Sequence, residues 1–164
     1  MVPAHILNVL KKFVQLIDGK DIPWILSGST SLVIQGVDVQ INNDIDILTT
    51  EVGSKQINIL MDEYKVKESK FSSTDKYQSF FGIYKIDGVN IDVMGEFQYR
   101  LRNGSWSEPN QNHKIFIKEY QGMSLPLLSL EQELVEYDNM GKTEKVEKIK
   151  PVLQRIQYKA CFYN

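Results

Sequence analysis

Asp44 and Asp46 flank one isoleucine in the run Asp44-Ile45-Asp46-Ile47-Leu48. Polar and apolar residues alternate there, the pattern of a half-buried strand. Aspartate is depleted in strands, so two of them in one strand require a reason. Side chains at i and i+2 share a face, roughly 7 Å apart along the strand. Both carboxylates therefore point one way while Ile45 and Ile47 go to the core. Like charges held that close repel unless cations sit between them. The competing reading is an edge strand with a solvated acidic face. Ile91-Asp92-Val93 repeats the design just after Asp87-Gly88, the strongest hairpin signal in the chain. If that strand lies beside the first, Asp92 joins the same face; otherwise it is a satisfied surface residue. Three such carboxylates can hold two magnesium ions about 3.5–4 Å apart, because magnesium favours oxygen ligands and phosphate oxygens.

Ser27-Gly28-Ser29 lies between a short apolar strand, Trp24-Ile25-Leu26, and a helix around Leu32-Val33-Ile34 that stops at Gly36. Glycine lets backbone approach a ligand closely, and a helix N-terminus offers free N–H groups to an anion. Ser29 adds a hydroxyl. The bland alternative is an ordinary N-cap on Ser29 or Thr30.

The elements that must position these residues follow from periodicity. Ile6, Leu10, Phe13, Val14 and Ile17 recur at helical spacing between Pro3 and about Asp18, and Gly19 ends that helix. Residues 52 to 63 form an amphipathic helix. Strands are expected at 77–86 and 89–94, a turn at Asn103-Gly104, and alternation again from Lys114 to Lys118. The pattern changes at Leu125-Pro126. Ser129 with Gln132 resembles a capping box opening a helix that Gly141 closes. A last helix runs from Thr143 to about Tyr158, and Pro151 is expected to kink or split it. The order fits an α+β fold, a sheet covered on one side by helices.

The 164 residues suit one domain, 1–164, with a core over about 1–125 and C-terminal helices over about 129–158. The composition is 42% hydrophobic and 24% charged, which is globular rather than disordered. A formal net charge of −2 gives no bulk footprint for nucleic acid, which is not expected as a partner. No apolar run could span a bilayer, so a cytoplasmic, membrane-free protein is expected. Cys161 is the only cysteine, and His5 and His113 fall outside any ligand spacing.

Leu26-Ser27-Gly28-Ser29, then Gly36, then Asp44-Ile45-Asp46-Ile47, with Asp92 following, resembles the signature of the polymerase-beta-like nucleotidyltransferase superfamily. The layout is most similar to small antibiotic nucleotidyltransferases of the lincosamide and aminoglycoside type. The resemblance implies the nucleotidyltransferase fold, a mixed sheet with helices mainly on one side followed by C-terminal helices. It implies transfer of a nucleoside monophosphate from a nucleoside triphosphate such as ATP to a hydroxyl of a small molecule or protein. Magnesium, or manganese, would be held by Asp44, Asp46 and Asp92, which form the catalytic set. Ser27, Gly28 and Ser29 would bind the nucleotide. Asp92 is the economical acceptor base and Glu96 a weaker one, while some of Lys85, Tyr99, Arg100 and Arg102 could face the cleft. The alternative is a binding module of a toxin–antitoxin-type pair, weakly active or vestigial. Two departures stand out. Gln40-Ile41-Asn42-Asn43 lacks the basic residue that many relatives carry before Asp-x-Asp. The terminal helices lack a clear acidic pair and end in Lys145, Lys148 and Lys150.

Overall fold

The computed structural model describes residues 1–109 and 114–162; His113 lies outside them. A helix α1 (Ala4–Ile17) leads to strand β1 (Trp24–Ser27), helix α2 (Gly28–Ile34), strand β2 (Asp44–Thr49) and helix α3 (Glu51–Leu60). A short 3-10 turn, Asp62–Tyr64, precedes strands β3 (Lys65–Ser73), β4 (Tyr77–Ile86) and β5 (Val89–Tyr99). Strands β6 (Ile115–Tyr120) and β7 (Met123–Leu128) follow, then helices α4 (Leu130–Asn139) and α5 (Thr143–Phe162).

The seven strands form one mixed sheet in the order β3-β4-β5-β2-β1-β7-β6. β2 runs antiparallel to β1 and parallel to β5, so the two aspartate-bearing strands are neighbours. Alternation decides which face each residue takes. Ile45, Ile47, Ile91, Val93 and Leu26 pack with Ile6, Leu10 and Phe13 of α1 and Ile57 of α3. Leu48 and Ile25 point to the opposite face, with Met94 and Phe97 against them. A second cluster joins Leu32 of α2 to Leu130, Tyr137, Val146 and Ile149 of α4 and α5. The terminal helices are thus packed onto α2 rather than trailing from the sheet.

Three elements differ from the sequence expectation. Strand β3 is absent from it, because Lys65-Val66-Lys67-Glu68-Ser69-Lys70 has almost no apolar alternation and lies at a sheet edge. Its lysines and two register shifts against β4 suit an exposed edge. Strand β7 runs through Pro126 instead of ending there, with Leu125, Leu127 and Leu128 fully buried. Pro151 does not split α5, which is one helix over Thr143–Phe162. Val146 and Ile149 before the proline and Val152 and Leu153 after it are all buried on one core, and that packing overrides the local preference.

α4 begins where the sequence indicates: the Ser129 hydroxyl accepts from the Gln132 backbone N–H at 3.2 Å. Ser129→Ala is expected to cost about 1 kcal/mol, lowering Tm by roughly 2–4 °C. Thermal unfolding monitored by circular dichroism checks it, and an unchanged Tm would show that packing alone starts the helix.

Candidate active site

Parallel pairing of β2 with β5 sets Asp46 directly beside Asp92, and antiparallel pairing with β1 sets Ser27 on its other side. The residues that the sequence singled out at 27, 46 and 92 thus form one row across three adjacent strands. Asp44 lies one pleat along β2, opposite Asn90. Gly28 adopts φ +68°, a left-handed conformation suited to glycine. A Cβ at Gly28 would fall 1.9 Å from Asp46 Oδ2, so the turn backbone lies directly against that carboxylate.

The bland reading of the turn fails. Ser27, not Ser29 or Thr30, occupies the N-cap of α2, and its side chain makes no capping hydrogen bond. Ser27 and Gly28 line a cleft of about 470 Å³ together with Asp46, Asp92 and Leu48. Ser29 sits inside α2, half-buried, and does not line this cleft.

The cleft lies on the sheet face opposite α1. Tyr77, Phe81, Met94 and Phe97 form its apolar side, and Glu133, Glu136, Tyr137, Lys142 and Lys145 close it from α4, α5 and the turn between them. Phe97 reaches this position through a β-bulge. The β4–β5 register slips between Gln78 and Phe80, and Glu96 takes φ 52° there.

Electrostatic stress concentrates on the carboxylates. Burial, then the charges of Asp44 and Asp92, push the Asp46 carboxyl up to about 6, while Lys145 pulls it back. Burial and then Asp44 raise Asp92. Asp92 Oδ1 is buried without a hydrogen-bond partner. An orphaned carboxylate oxygen beside a second carboxylate is a donor set that suits a hard divalent cation. Among the described residues, no three acidic, histidine or cysteine side chains are gathered closely enough to cage a metal ion. The fit therefore rests on Asp46 and Asp92, with Asp44 adding its charge.

Sequence reasoning missed the contribution of the terminal helices. An acidic pair is present: Glu133 and Glu136 are 2% and 4% exposed and both line the cleft. Burial first, then Glu136, push Glu133 up to about 8, whereas a hydrogen bond from Ser31 opposes the shift. Ser31 Oγ donates to Glu133 Oε1 at 3.3 Å, and Gln35 Nε2 donates to Ser31 Oγ at 3.2 Å and to the Leu128 carbonyl at 3.1 Å. This chain ties α2 to α4. The i, i+3 spacing of Glu133 and Glu136 on a helix with buried neighbours was the available signal.

Basic residues also enter from unexpected places. Lys67, Lys142 and Lys145 line the cleft; Lys85, Tyr99, Arg100 and Arg102 do not. Tyr99 is core, and Arg100 stacks 3.7 Å over Trp106. Lys148 and Lys150 pair with Glu144 and Glu147 at the surface. Glu96 does not line the cleft, and its Oε1 accepts from the Glu51 backbone N–H at the start of α3.

The model of the aminoglycoside-2″-adenylyltransferase family matches residues 9–150. A candidate nucleotidyltransferase from Thermotoga maritima is 36% identical, over 94% of this chain and 96% of that one, with a TM-score of 0.80. Lincosamide antibiotic adenylyltransferase LnuA, solved with lincomycin bound, is 14% identical over 88% of this chain and 96% of its own, with a TM-score of 0.58. ANT(2″)-Ia in complex with adenylyl-2″-tobramycin is 11% identical over 96% of this chain and 99% of its own, with a TM-score of 0.53. At such identities these last two bear on the fold alone. No curated protein matches the sequence.

Two predictions follow from the geometry. Gly28→Ala should cost about 1–2 kcal/mol for its backbone conformation alone, and more because the new methyl displaces the Asp46 carboxylate. In an Asp46→Ala background the second component should vanish, which a double-mutant cycle in urea reads as non-additivity. The folded chain also holds a proton on Asp46 up to about pH 6, against 3.8 for the free group. Stability contributed by that proton is lost as pH rises through this window. Asp46→Asn in metal-free buffer should therefore change stability little near pH 4 and add on the order of 2 kcal/mol at pH 7.5. An equal effect at both pH values would contradict it.

Proposed function

The chain belongs to the aminoglycoside-2″-adenylyltransferase family, and we propose that it is a metal-dependent enzyme transferring a nucleoside monophosphate from a triphosphate to an acceptor hydroxyl. The family and the 36% identical Thermotoga relative make it a nucleotidyltransferase. One observation carries the finer reading: Asp46 and Asp92 stand side by side across a strand pair, with the Gly28 turn pressed against the first.

Each part then has a task. The Gly28 backbone and the Ser27 hydroxyl face the phosphate chain at the cleft floor. Ser29, one residue into α2, is proposed to support that turn. Asp46 and Asp92, with Asp44 beside them, would hold magnesium or manganese. Such an ion, when bound, screens the carboxylates and the phosphoryl oxygens from each other. Asp92 also faces the acceptor side and takes the hydroxyl proton. The acceptor oxygen forms its bond to the α-phosphorus, the bond from that phosphorus to the bridging oxygen breaks, and pyrophosphate leaves. Positioning and fixed charge supply most of the rate in such transfers. The aromatic side, Tyr77, Phe81 and Phe97, suits a ring-bearing molecule. A small hydroxylated acceptor is proposed; the two adenylyltransferase structures named above hold lincomycin and adenylyl-2″-tobramycin. Lys67, Lys142 and Lys145 bring to the cleft the positive charge that is missing before Asp-x-Asp, which favours a working site over a vestigial toxin–antitoxin-type module. No described helix is long and apolar enough to cross a membrane.

Ligand-linked stabilisation tests this without the acceptor in hand. A ligand at a hundredfold excess over Kd stabilises the fold by about 2.7 kcal/mol, or roughly 5–10 °C in Tm for this length. Magnesium with ATP, CTP, GTP or UTP should produce that shift for at least one nucleotide. The triphosphate without metal should produce much less, and the Asp44→Asn/Asp46→Asn variant should show none. No shift with any of the four, in magnesium or manganese, would overturn the nucleotide site.

A further inference from the structure

This inference rests on the triphosphate reading of the cleft. A triphosphate beside Gly28 meets Asp46, Asp92 and Glu133 at close range, and the field of Asp44 adds to theirs. Divalent cations offset only part of that negative charge, so a fixed protein cation has to complete it. The stretch before Asp44 offers none; Asn43, its last residue, instead donates to the Gly88 carbonyl at 2.7 Å.

Among the described residues, Lys67, Lys142 and Lys145 are the cations lining the cleft. Lys67 is exposed on the edge strand β3, its Nζ 4.8 Å over Phe81. Lys142 is exposed between α4 and α5, 5.9 Å from the Tyr77 ring. Lys145 differs from both. It is half-buried in the first turn of α5, and its charge acts on Asp46 and on Glu133. Its Nζ lies 4.6 Å over the Tyr137 ring and donates a 3.4 Å hydrogen bond to Tyr137 Oη. That bond is long enough to yield to a stronger acceptor. Tyr137, buried at 6% exposure, holds the ammonium from α4.

We propose that Lys145 binds the phosphate chain of the nucleotide. It supplies from the terminal helix the fixed positive charge that the segment before Asp-x-Asp lacks. The ammonium exchanges its long bond to the neutral Tyr137 Oη for shorter bonds to anionic phosphate oxygens, in which both donor and acceptor are charged. α5 is then part of the nucleotide site and not only a wall of the acceptor cleft.

The test uses the full chain with two probes, inorganic tripolyphosphate and ATP, each with magnesium, by isothermal titration calorimetry. Lys145→Met should weaken both roughly 10- to 100-fold, the range for a lost hydrogen bond to a charged group. The apo Tm should move little. Lys148→Met, at the ion-paired surface one turn further on, should bind both as the wild type does. Lys145→Gln serves the same purpose if the Met variant does not fold. Equal binding by wild type and a Lys145 variant, or equal losses at Lys145 and Lys148, would overturn the proposal while leaving the nucleotide site intact. Failure of the wild type to bind either probe would instead bring down the triphosphate reading, and this inference with it.

Discussion

A glycine backbone pressed against a carboxylate is the contact on which the rest of the site depends. Gly28 has room for Asp46 Oδ2 only because it carries no Cβ, and its left-handed φ aims the chain from β1 into α2 at that point. The contact fixes two things together. It sets where the turn exposes its backbone and how closely Asp46 is held against it. Parallel pairing then places Asp92 beside Asp46, and no loop flexibility enters. A site built on strand register is more precise than one assembled from loops.

The arrangement is costly for the protein alone. Asp46, Asp92 and Glu133 are all raised, each by burial before any other cause. Burying carboxylates next to one another opposes folding, and a protein optimised for stability would not gather them. Such strain is common where charge has to be stabilised during a reaction, and perturbed carboxyl groups in a cleft point to function for that reason. The surrounding fold is built to tolerate it. Ile45, Ile47, Ile91 and Val93 alternate with the aspartates and are fully buried under α1 and α3, anchoring both strands by apolar packing.

Much of this was legible in the sequence because it is local. Alternation in Asp44-Ile45-Asp46-Ile47 gives both the strand and the face of each side chain. Asp87-Gly88 gives the hairpin, and both its residues take positive φ as such a turn requires. The resemblance added order and the identity of Asp92. What stayed hidden is non-local or weakly patterned. β3 is polar and at an edge, so nothing in its residues distinguishes it from a loop. Pro126 looked like a boundary. In the structure β7 continues through it, with Pro126 opposite Ile117 of β6 and Leu127 opposite Leu26 of β1, and the buried Leu125, Leu127 and Leu128 hold the strand in place. Pro151 misled for a similar reason, since propensity is a weak guide where packing on both sides of the proline agrees.

The terminal helices show most clearly why one-dimensional reading stops where it does. Glu133 lies 102 residues from Ser31, yet the two share a buried hydrogen bond that ties α4 to the helix beginning at Gly28. In the sequence Glu133 is one acidic residue among several on an amphipathic helix, and the usual expectation for it is solvent. It becomes part of the site because Leu130 and Tyr137 on the same helix bury themselves with Leu32 of α2. That packing turns the helix so that Glu133 and Glu136 face inward and brings Lys145 of α5 to the same cleft. The polar side of the cleft is therefore positioned by an apolar cluster, from which Tyr137 also reaches into the cleft. Substitutions in that cluster, far from Asp46 in sequence, act on the site through the orientation of α4.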